Sequence, residues 1–147
     1  MSKWDARYMA MADLLSTWSK DPSTGVGAVV VDTEQRVVSV GFNGFARGCS
    51  DAAELLLDRE ERLRRTIHAE ENALLFARVA LKGCTIYATH HPCARCAAKI
   101  AQAGVARVVT RMPSGGFALR WAEDTNTAAE IFAESGIQTS IIQESNE

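Results

Sequence analysis

The sequence predicts an α/β fold, a three-layer α/β/α sandwich around a central five-stranded mixed sheet. From residue 84 onward, short β-branched or apolar runs alternate with segments of helical periodicity. Strands that alternate with helices favour a parallel sheet with helices packed on its faces. Two earlier valine-rich runs are separated only by a short turn, which indicates an antiparallel pair at the start of the sheet.

The individual elements follow from local patterns. A helix is predicted over residues 3–20, where large apolar residues recur at steps of three and four. The near-continuous valines of the first strand indicate burial on both of its faces. The charged run DREERLRR, residues 58–65, is interpreted as a solvated helical segment. The predicted strands are 26–32, 36–42, 84–89, 106–110 and 137–142, and the later helices are 67–81, 93–104 and 122–136, each stopped by a glycine.

Length and composition set the class of protein. We expect one domain over residues 1–147, with a frayed tail at about residues 143–147. A net charge of −2 gives no broad positive field for long nucleic acid, so a small-molecule substrate is expected. The chain begins without a signal peptide and has no apolar run long enough to span a membrane, which predicts a cytoplasmic protein with no membrane partner.

Four cysteines in a reducing compartment seldom form disulfides, and a close pair more often binds metal or carries out redox chemistry. Cys93 and Cys96 lie in PCARC, and His68 and Glu70 lie in HAE. Each motif opens a predicted helix, and successive helix starts in such folds meet beyond the carboxyl ends of strands. The sequence therefore predicts that His68, Cys93 and Cys96 converge as three metal ligands.

One histidine and two cysteines leave the fourth position of a tetrahedral zinc ion to water, an arrangement typical of catalytic zinc. Glu70 would stand beside that water as a proton carrier. H-x-E followed by P-C-x-x-C is the signature of zinc nucleobase deaminases. A lone C-x-x-C could instead be a redox pair, although such a pair has no use for HAE, and His90 and His91 could compete as ligands. The noncatalytic alternative is a zinc-stabilised binding module.

The chain resembles the deoxycytidylate (dCMP) deaminase family. The resemblance implies a cytidine deaminase-like fold and the zinc-dependent hydrolysis of dCMP to dUMP and ammonia, which supplies dUMP for thymidylate synthesis. A 5-modified dCMP, or another cytosine nucleotide or nucleoside, remains an alternative substrate. The negative net charge of the chain disfavours a deaminase that acts on tRNA or single-stranded DNA. The similar blocks are residues 19–32, 41–51, 68–74, 82–89, 92–97 and 103–105, which read SKDPSTGVGAVVVD, GFNGFARGCSD, HAEENAL, KGCTIYAT, PCARCA and AGV.

The resemblance also assigns roles by matching position. It implies zinc binding by His68, Cys93 and Cys96, with Glu70 as the proton shuttle. Asn43 would contact the deoxyribose and the Ala69 backbone N–H would contact the pyrimidine. The turn SKDPST suggests a phosphate site at Lys20, Ser23 and Thr24, where hydroxyls, backbone N–H groups and a cation lie close in sequence.

The resemblance further implies a homo-oligomer, often a hexamer, activated by dCTP and inhibited by dTTP. The effector candidates are Arg47 and Asp51, and Mg²⁺ would accompany a nucleotide effector. This chain departs from many relatives in one respect, because RMPSGGFALRW, residues 111–121, has no tyrosine where they place one near the substrate phosphate. Trp121 offers no hydroxyl in its place.

Overall fold

The computed structural model describes residues 1–143, apart from the side chain of Phe117. A five-stranded mixed sheet lies at its centre, which confirms the predicted fold class. The strands are β1 Gly27–Val31, β2 Val37–Phe42, β3 Thr85–Ala88, β4 Arg107–Arg111 and β5 Gln138–Ile142. Their order is β2-β1-β3-β4-β5. Strand β1 is antiparallel to β2 and β3, whereas β3, β4 and β5 are parallel.

The helices form the two outer layers. They are α1 Lys3–Ser16, α2 Ala53–Leu57, α3 Arg59–Arg65, α4 Ala69–Phe76, α5 Ala94–Gln102 and α6 Gly115–Glu134. Helix α1 packs on one face of the sheet. Helices α4, α5 and α6 contribute buried residues to the core on the opposite face. None of the helices within residues 1–143 is long and apolar enough to cross a membrane.

Strand β1 contributes residues to the hydrophobic cores on both faces of the sheet. All five of its residues are buried, as its valine run predicted. Ala28 and Val30 face the core beneath α4 and α5, and Val29 and Val31 face the core beneath α1. At Gly27 the backbone of α1 comes so close that an added Cβ would lie 1.9 Å from the carbonyl oxygen of Ala12. This close approach requires a glycine.

Several boundaries differ from the sequence prediction. The first helix ends at Ser16 rather than at residue 20, and α4 ends at Phe76 rather than at residue 81. Leu81 is nevertheless buried in the core. The apolar spacing beyond Phe76 therefore reflects burial of side chains and not a helical backbone. Helix α6 begins at Gly115 rather than at 122, and α2 was not predicted. The predicted frayed tail falls at 144–147, outside the described residues, and at Gln143, which has no regular structure.

Candidate active site

The first turns of α4 and α5 meet at one edge of the sheet. Strands β2 and β3 are both antiparallel to β1 and so run in the same direction, which brings their carboxyl ends to the same edge. Helix α5 follows β3 directly, whereas α2 and α3 lie between β2 and α4. Ligands bind at such strand ends in α/β sheets, and the predicted convergence of the two motifs is confirmed.

His68, Cys93 and Cys96 form a cluster whose ligand atoms all lie within 4.8 Å of one another. The Nδ1 atom of His68 lies 3.5 Å from Sγ of Cys93 and 3.3 Å from Sγ of Cys96. Zn–S and Zn–N bonds of about 2.3 and 2.1 Å at a tetrahedral angle separate two ligand atoms by about 3.6 Å. The donor set and its spacing therefore fit a single zinc ion.

The other candidate ligands have different surroundings. Nδ1 of His90 lies 3.1 Å from the Thr89 hydroxyl, and Nδ1 of His91 lies 3.0 Å from the Pro92 carbonyl oxygen. Within the described part of the chain, neither histidine joins the cluster of ligand atoms. All four cysteines are free thiols: Cys84 is buried in the core and Cys49 is exposed.

Hydrogen bonds hold the backbone of both ligand-bearing turns. His68 is the N-cap of α4, and its N–H donates to Oε1 of Glu71 over 3.2 Å. The other oxygen of Glu71 accepts a hydrogen bond from Lys99 of α5. The two ligand-bearing helices are thus tied together by a salt bridge beside the cluster.

The cluster and Glu70 perturb one another's protonation. A hydrogen bond from the Cys96 thiol, together with the neighbouring His68, lowers the pKa of Cys93 well below its usual range. That favours a thiolate, the form that binds a metal. Glu70 is buried, and desolvation raises its pKa to about 7 although His68 opposes the shift. A carboxyl with such a pKa can both accept and donate a proton near neutral pH, as general acid–base catalysis needs.

A cavity of about 570 Å³ opens above this cluster. The metal-binding end is lined by His68 and Cys93 together with Ala69 and Glu70. Its volume suits a small organic molecule. The remaining lining residues are Asp21, Ser23, Thr24, Val26, Asn43, Arg59, Arg62, Leu63, Thr66, His90, His91, Arg120 and Trp121.

Asn43 shapes the wall of the cavity. It is buried, and its Oδ1 accepts the Val26 N–H while its Nδ2 donates to the Thr24 carbonyl oxygen, each over 2.9 Å. The backbone N–H groups of Ser23 and Thr24 donate to Oδ1 of Asp21 over 2.8 and 3.0 Å. These N–H groups are therefore engaged by a carboxylate, so a contribution of Ser23 and Thr24 to a ligand would come from their hydroxyls.

Lys20 is the one predicted phosphate contact that does not line this cavity. It pairs with Asp51, and both line a second cavity of about 360 Å³ together with Arg47. The guanidinium of Arg47 lies 4.9 Å from the ring centroid of Phe76. Lys20 thus lines the second cavity with the two effector candidates, whereas Ser23 lines the main cavity.

Sequence reasoning missed the contributions of α3 and α6 to the main cavity. The interpretation of residues 58–65 as solvated holds for Arg64 and Arg65, which are exposed. It is incomplete for Arg59, which is exposed but also lines the cavity, and it is wrong for Arg62, which is half-buried in the cavity wall. A signal was present, because the lining residues Arg59, Arg62, Leu63 and Thr66 follow the i, i+3, i+4, i+7 spacing of one helix face.

The sequence is similar to known deaminases. A family profile described as the cytidine and deoxycytidylate deaminase zinc-binding region matches residues 2–112. An uncharacterized deaminase in the luxG 3′ region of Aliivibrio fischeri is 46% identical over 138 residues, covering 94% of this chain and 92% of that protein. The deoxycytidylate deaminase of Mus musculus is 36% identical over 143 residues, covering 92% of this chain and 77% of the mouse protein.

The fold is also similar to that of a solved deaminase. The crystal structure of dCMP deaminase from the cyanophage S-TIM5, in complex with dCMP and dUMP, aligns with a TM-score of 0.79 at 26% sequence identity. The alignment covers 97% of this chain and 99% of the phage chain. With a zinc-binding region matched over residues 2–112 and its ligands gathered at one cavity, the chain belongs to the cytidine and deoxycytidylate deaminase family.

Proposed function

We propose that this protein catalyses the hydrolysis of dCMP to dUMP and ammonia. The observation that carries the proposal is the position of Glu70, a buried carboxyl that lines the same cavity as the zinc ligands His68 and Cys93. The similarity to a mouse deoxycytidylate deaminase and to a phage dCMP deaminase bound to dCMP and dUMP supports the choice of substrate.

His68, Cys93 and Cys96 would hold the zinc ion. When bound there, a zinc ion would lower the pKa of water to about 7 and so supply a nucleophile for C4 of cytosine at neutral pH. Glu70 would accept one proton of the water and deliver it to N3 of the ring; it would then take the second proton from the hydroxyl left on C4 and pass it to the departing amine nitrogen, so that C4 becomes a carbonyl and ammonia leaves. Glu70 is buried beside these residues, so solvent has little direct access to its carboxyl group.

Other residues of the cavity would orient the nucleotide. The Ala69 N–H lies in the first turn of α4, where an α-helix leaves its N–H groups without helical partners, and it would contact the pyrimidine. Asn43 would contact the deoxyribose through the second hydrogen of its Nδ2 and the second lone pair of its Oδ1, because its two backbone contacts use one of each. The hydroxyls of Ser23 and Thr24 would meet the phosphate.

The charge of the cavity wall favours a substrate that carries a phosphate. Arg59 and Arg62 line the cavity from α3, and Arg120 lines it from α6. Asp21 partly offsets them, since its carboxylate lies 3.7 Å from the guanidinium of Arg62. Guanidinium groups bind phosphate through charge-assisted hydrogen bonds. The arginines are therefore a second source of phosphate recognition beside Ser23 and Thr24.

The decisive experiment compares substrates and one variant. Purified protein is incubated with dCMP, deoxycytidine, dCTP and 5-methyl-dCMP, and ammonia release is followed. We expect dCMP to give the highest kcat/KM. Glu70→Gln should keep one zinc per chain and lose more than about 100-fold in kcat, whereas Glu60→Gln, at an exposed carboxyl on α3, should match the wild type.

Three outcomes would contradict the proposal. A clear preference for the nucleoside or for the 5-methyl nucleotide would replace dCMP as the substrate. Substantial activity of Glu70→Gln would remove Glu70 from the proton transfers. Zinc binding without release of ammonia from any compound of the panel would favour the noncatalytic zinc module.

We further propose that the second cavity is the site of dCTP and dTTP regulation. Lys20 and Arg47 supply positive charge for a triphosphate, with which Mg²⁺ would bind, and Asp51 lies beside them. This cavity shares Asn43 and Arg62 with the main cavity, so an occupant could act on substrate binding. Arg47→Ala should abolish the response of the rate curve to dCTP and dTTP, and an unregulated wild-type enzyme would refute the proposal.

The expected homo-oligomer, a hexamer by resemblance, is also a proposal. It is supported by exposed apolar side chains, among them Leu14 on α1, Trp18 just beyond the end of that helix and Phe42 on the edge strand β2. Apolar patches of this kind often mark protein interfaces. Sedimentation equilibrium measures the assembly directly, and a monomer at micromolar concentration would contradict the expectation.

A further inference from the structure

Asp124 joins the helix that covers the cavity to the helix that carries both cysteines. Its Oδ2 accepts the backbone N–H of Ala94 over 3.0 Å. Ala94 is the first residue of α5 and lies between Cys93, the N-cap, and Cys96. The carboxylate of α6 is therefore fixed to the turn that presents two of the zinc ligands.

A carboxylate is chemically suited to this contact, although its surroundings are partly unfavourable. The first N–H groups of an α-helix lack helical partners, and the helix dipole attracts negative charge at this end. Cys93, however, favours the thiolate, which repels a nearby carboxylate. The acceptor thus contributes mainly through its hydrogen bond to the backbone, and a neutral acceptor of the same shape should serve nearly as well.

The contact divides α6 into two parts. Towards the carboxyl end, Ala128 and Phe132 are buried in the core. Towards the amino end, the described side chains of residues 115–123 are exposed or half-buried. That amino-terminal part includes Arg120 and Trp121, which line the cavity. The helical spacing of Arg120, Trp121, Asp124 and Ala128 places all four on one side of α6.

The amino-terminal part of α6 thus contributes a wall of the cavity whose described side chains are exposed or half-buried. We propose that Asp124 is a positioning residue that fixes this part of α6 against α5, so that Arg120 and Trp121 close the cavity over the bound nucleotide. The inference rests on the proposed function, since it takes the ligand of the cavity to be a cytosine or uracil nucleotide. Asp124 itself acts through Ala94, Arg120 and Trp121 and contacts no reacting atom.

The experiment compares Asp124→Ala with Asp124→Asn. The alanine variant loses the acceptor, whereas asparagine keeps an oxygen that can accept the Ala94 N–H. Glu130→Ala is the matched control, because Glu130 is an exposed carboxylate on the same helix. For each protein, the dissociation constant of dUMP is measured by calorimetry, together with KM and kcat for dCMP, zinc content and Tm.

We expect Asp124→Ala to raise the Kd of dUMP and the KM of dCMP on the order of tenfold, because a displaced wall contacts the ligand poorly. Its kcat should stay within about threefold of the wild type, since the proton transfers do not use Asp124, and it should retain one zinc per chain. Asp124→Asn should recover most of the affinity, and Glu130→Ala should equal the wild type.

A lower Tm with unchanged Kd and KM would show a purely structural role and overturn the inference. Loss of zinc from Asp124→Ala would overturn it as well, because the carboxylate would then serve the metal site. If the alanine variant does not fold, Trp121→Ala and Arg120→Ala decide, and an unchanged Kd in both refutes the role of the wall. If wild-type protein binds dUMP without deaminating dCMP, the proposed function fails while the Kd comparison still tests Asp124.

Discussion

Replacing Arg59 with glutamine tests how the cavity recognises a phosphate. Arg59 lines the cavity from α3 and is exposed. Its side chain can therefore approach a phosphate without breaking the structural contacts that Arg62 makes. Arg62 is less suited to the test, because it also lies 3.7 Å from Asp21 and donates to the Leu56 carbonyl oxygen over 2.7 Å. A change at Arg62 would disturb the turn as well as the ligand.

The expected size of the effect follows from the exposure of Arg59. A hydrogen bond to a charged group contributes about 1.5 to 3 kcal/mol. Water and salt screen an exposed guanidinium, which places Arg59 at the lower end of that range. About 1.4 kcal/mol corresponds to a tenfold change in kcat/KM, so Arg59→Gln should lose about tenfold for dCMP, mainly through KM. Deoxycytidine, which has no phosphate, should be affected less than about twofold.

The assay is steady-state deamination of dCMP and deoxycytidine at low and high salt. Arg64→Gln is the control, since Arg64 lies on the same helix, pairs with Glu61 over 2.7 Å and is not among the residues that line the cavity. The loss for Arg59→Gln should shrink as ionic strength rises. Equal losses for nucleotide and nucleoside, or an equal effect of Arg64→Gln, would refute recognition of the phosphate by Arg59. Thr24→Val, measured in parallel, should raise KM for the nucleotide alone if its hydroxyl contributes.

Three other perturbations have expected outcomes. Cys93→Ser should lower bound zinc well below one per chain, measured by metal analysis, and activity should fall with it because thiolate binds zinc far better than a hydroxyl. Gly27→Ala should lower the free energy of unfolding in urea by about 3 kcal/mol or more, since the added methyl would collide with the Ala12 carbonyl oxygen. A hydrogen bond from Arg107 lowers the pKa of buried Asp5 from 3.8 to about 2. Ionised Asp5 thus stabilises the fold above pH 3.8, and this contribution is lost as pH falls towards 2. Between pH 5 and pH 2 the wild type should lose about 2 kcal/mol more stability than Asp5→Asn, and equal losses would contradict the assignment.

Local spacing made the metal site predictable from sequence. His68 and Glu70 stand two residues apart, Cys93 and Cys96 stand three apart, and each pair opens a helix, so each half of the site is encoded within one turn. The burial of β1 on both faces was predictable for the same reason, because it follows from an uninterrupted run of small and β-branched residues.

The rest of the site depends on contacts that no local pattern contains. The start of α6 was missed because Gly115 and Gly116 are poor helix formers and hide the amino-terminal turn. Lys20 was assigned to the phosphate by its position in the turn, yet its partner Asp51 is distant in sequence. The Ala94 to Asp124 hydrogen bond likewise joins segments that come together only after the sheet has ordered them.

The family profile ends at residue 112, whereas α6 begins at Gly115. The proposed zinc ligands and proton shuttle thus come from one stretch of the chain, and the outer wall with Arg120 and Trp121 comes from another. Substitutions along the outer wall could alter which nucleotide is admitted while leaving the reacting groups in place. Exchange of the carboxyl-terminal helix would then alter this wall alone, provided that its anchor to the cysteine-bearing turn is retained, while Asn43 and Arg59 keep their places in the rest of the lining.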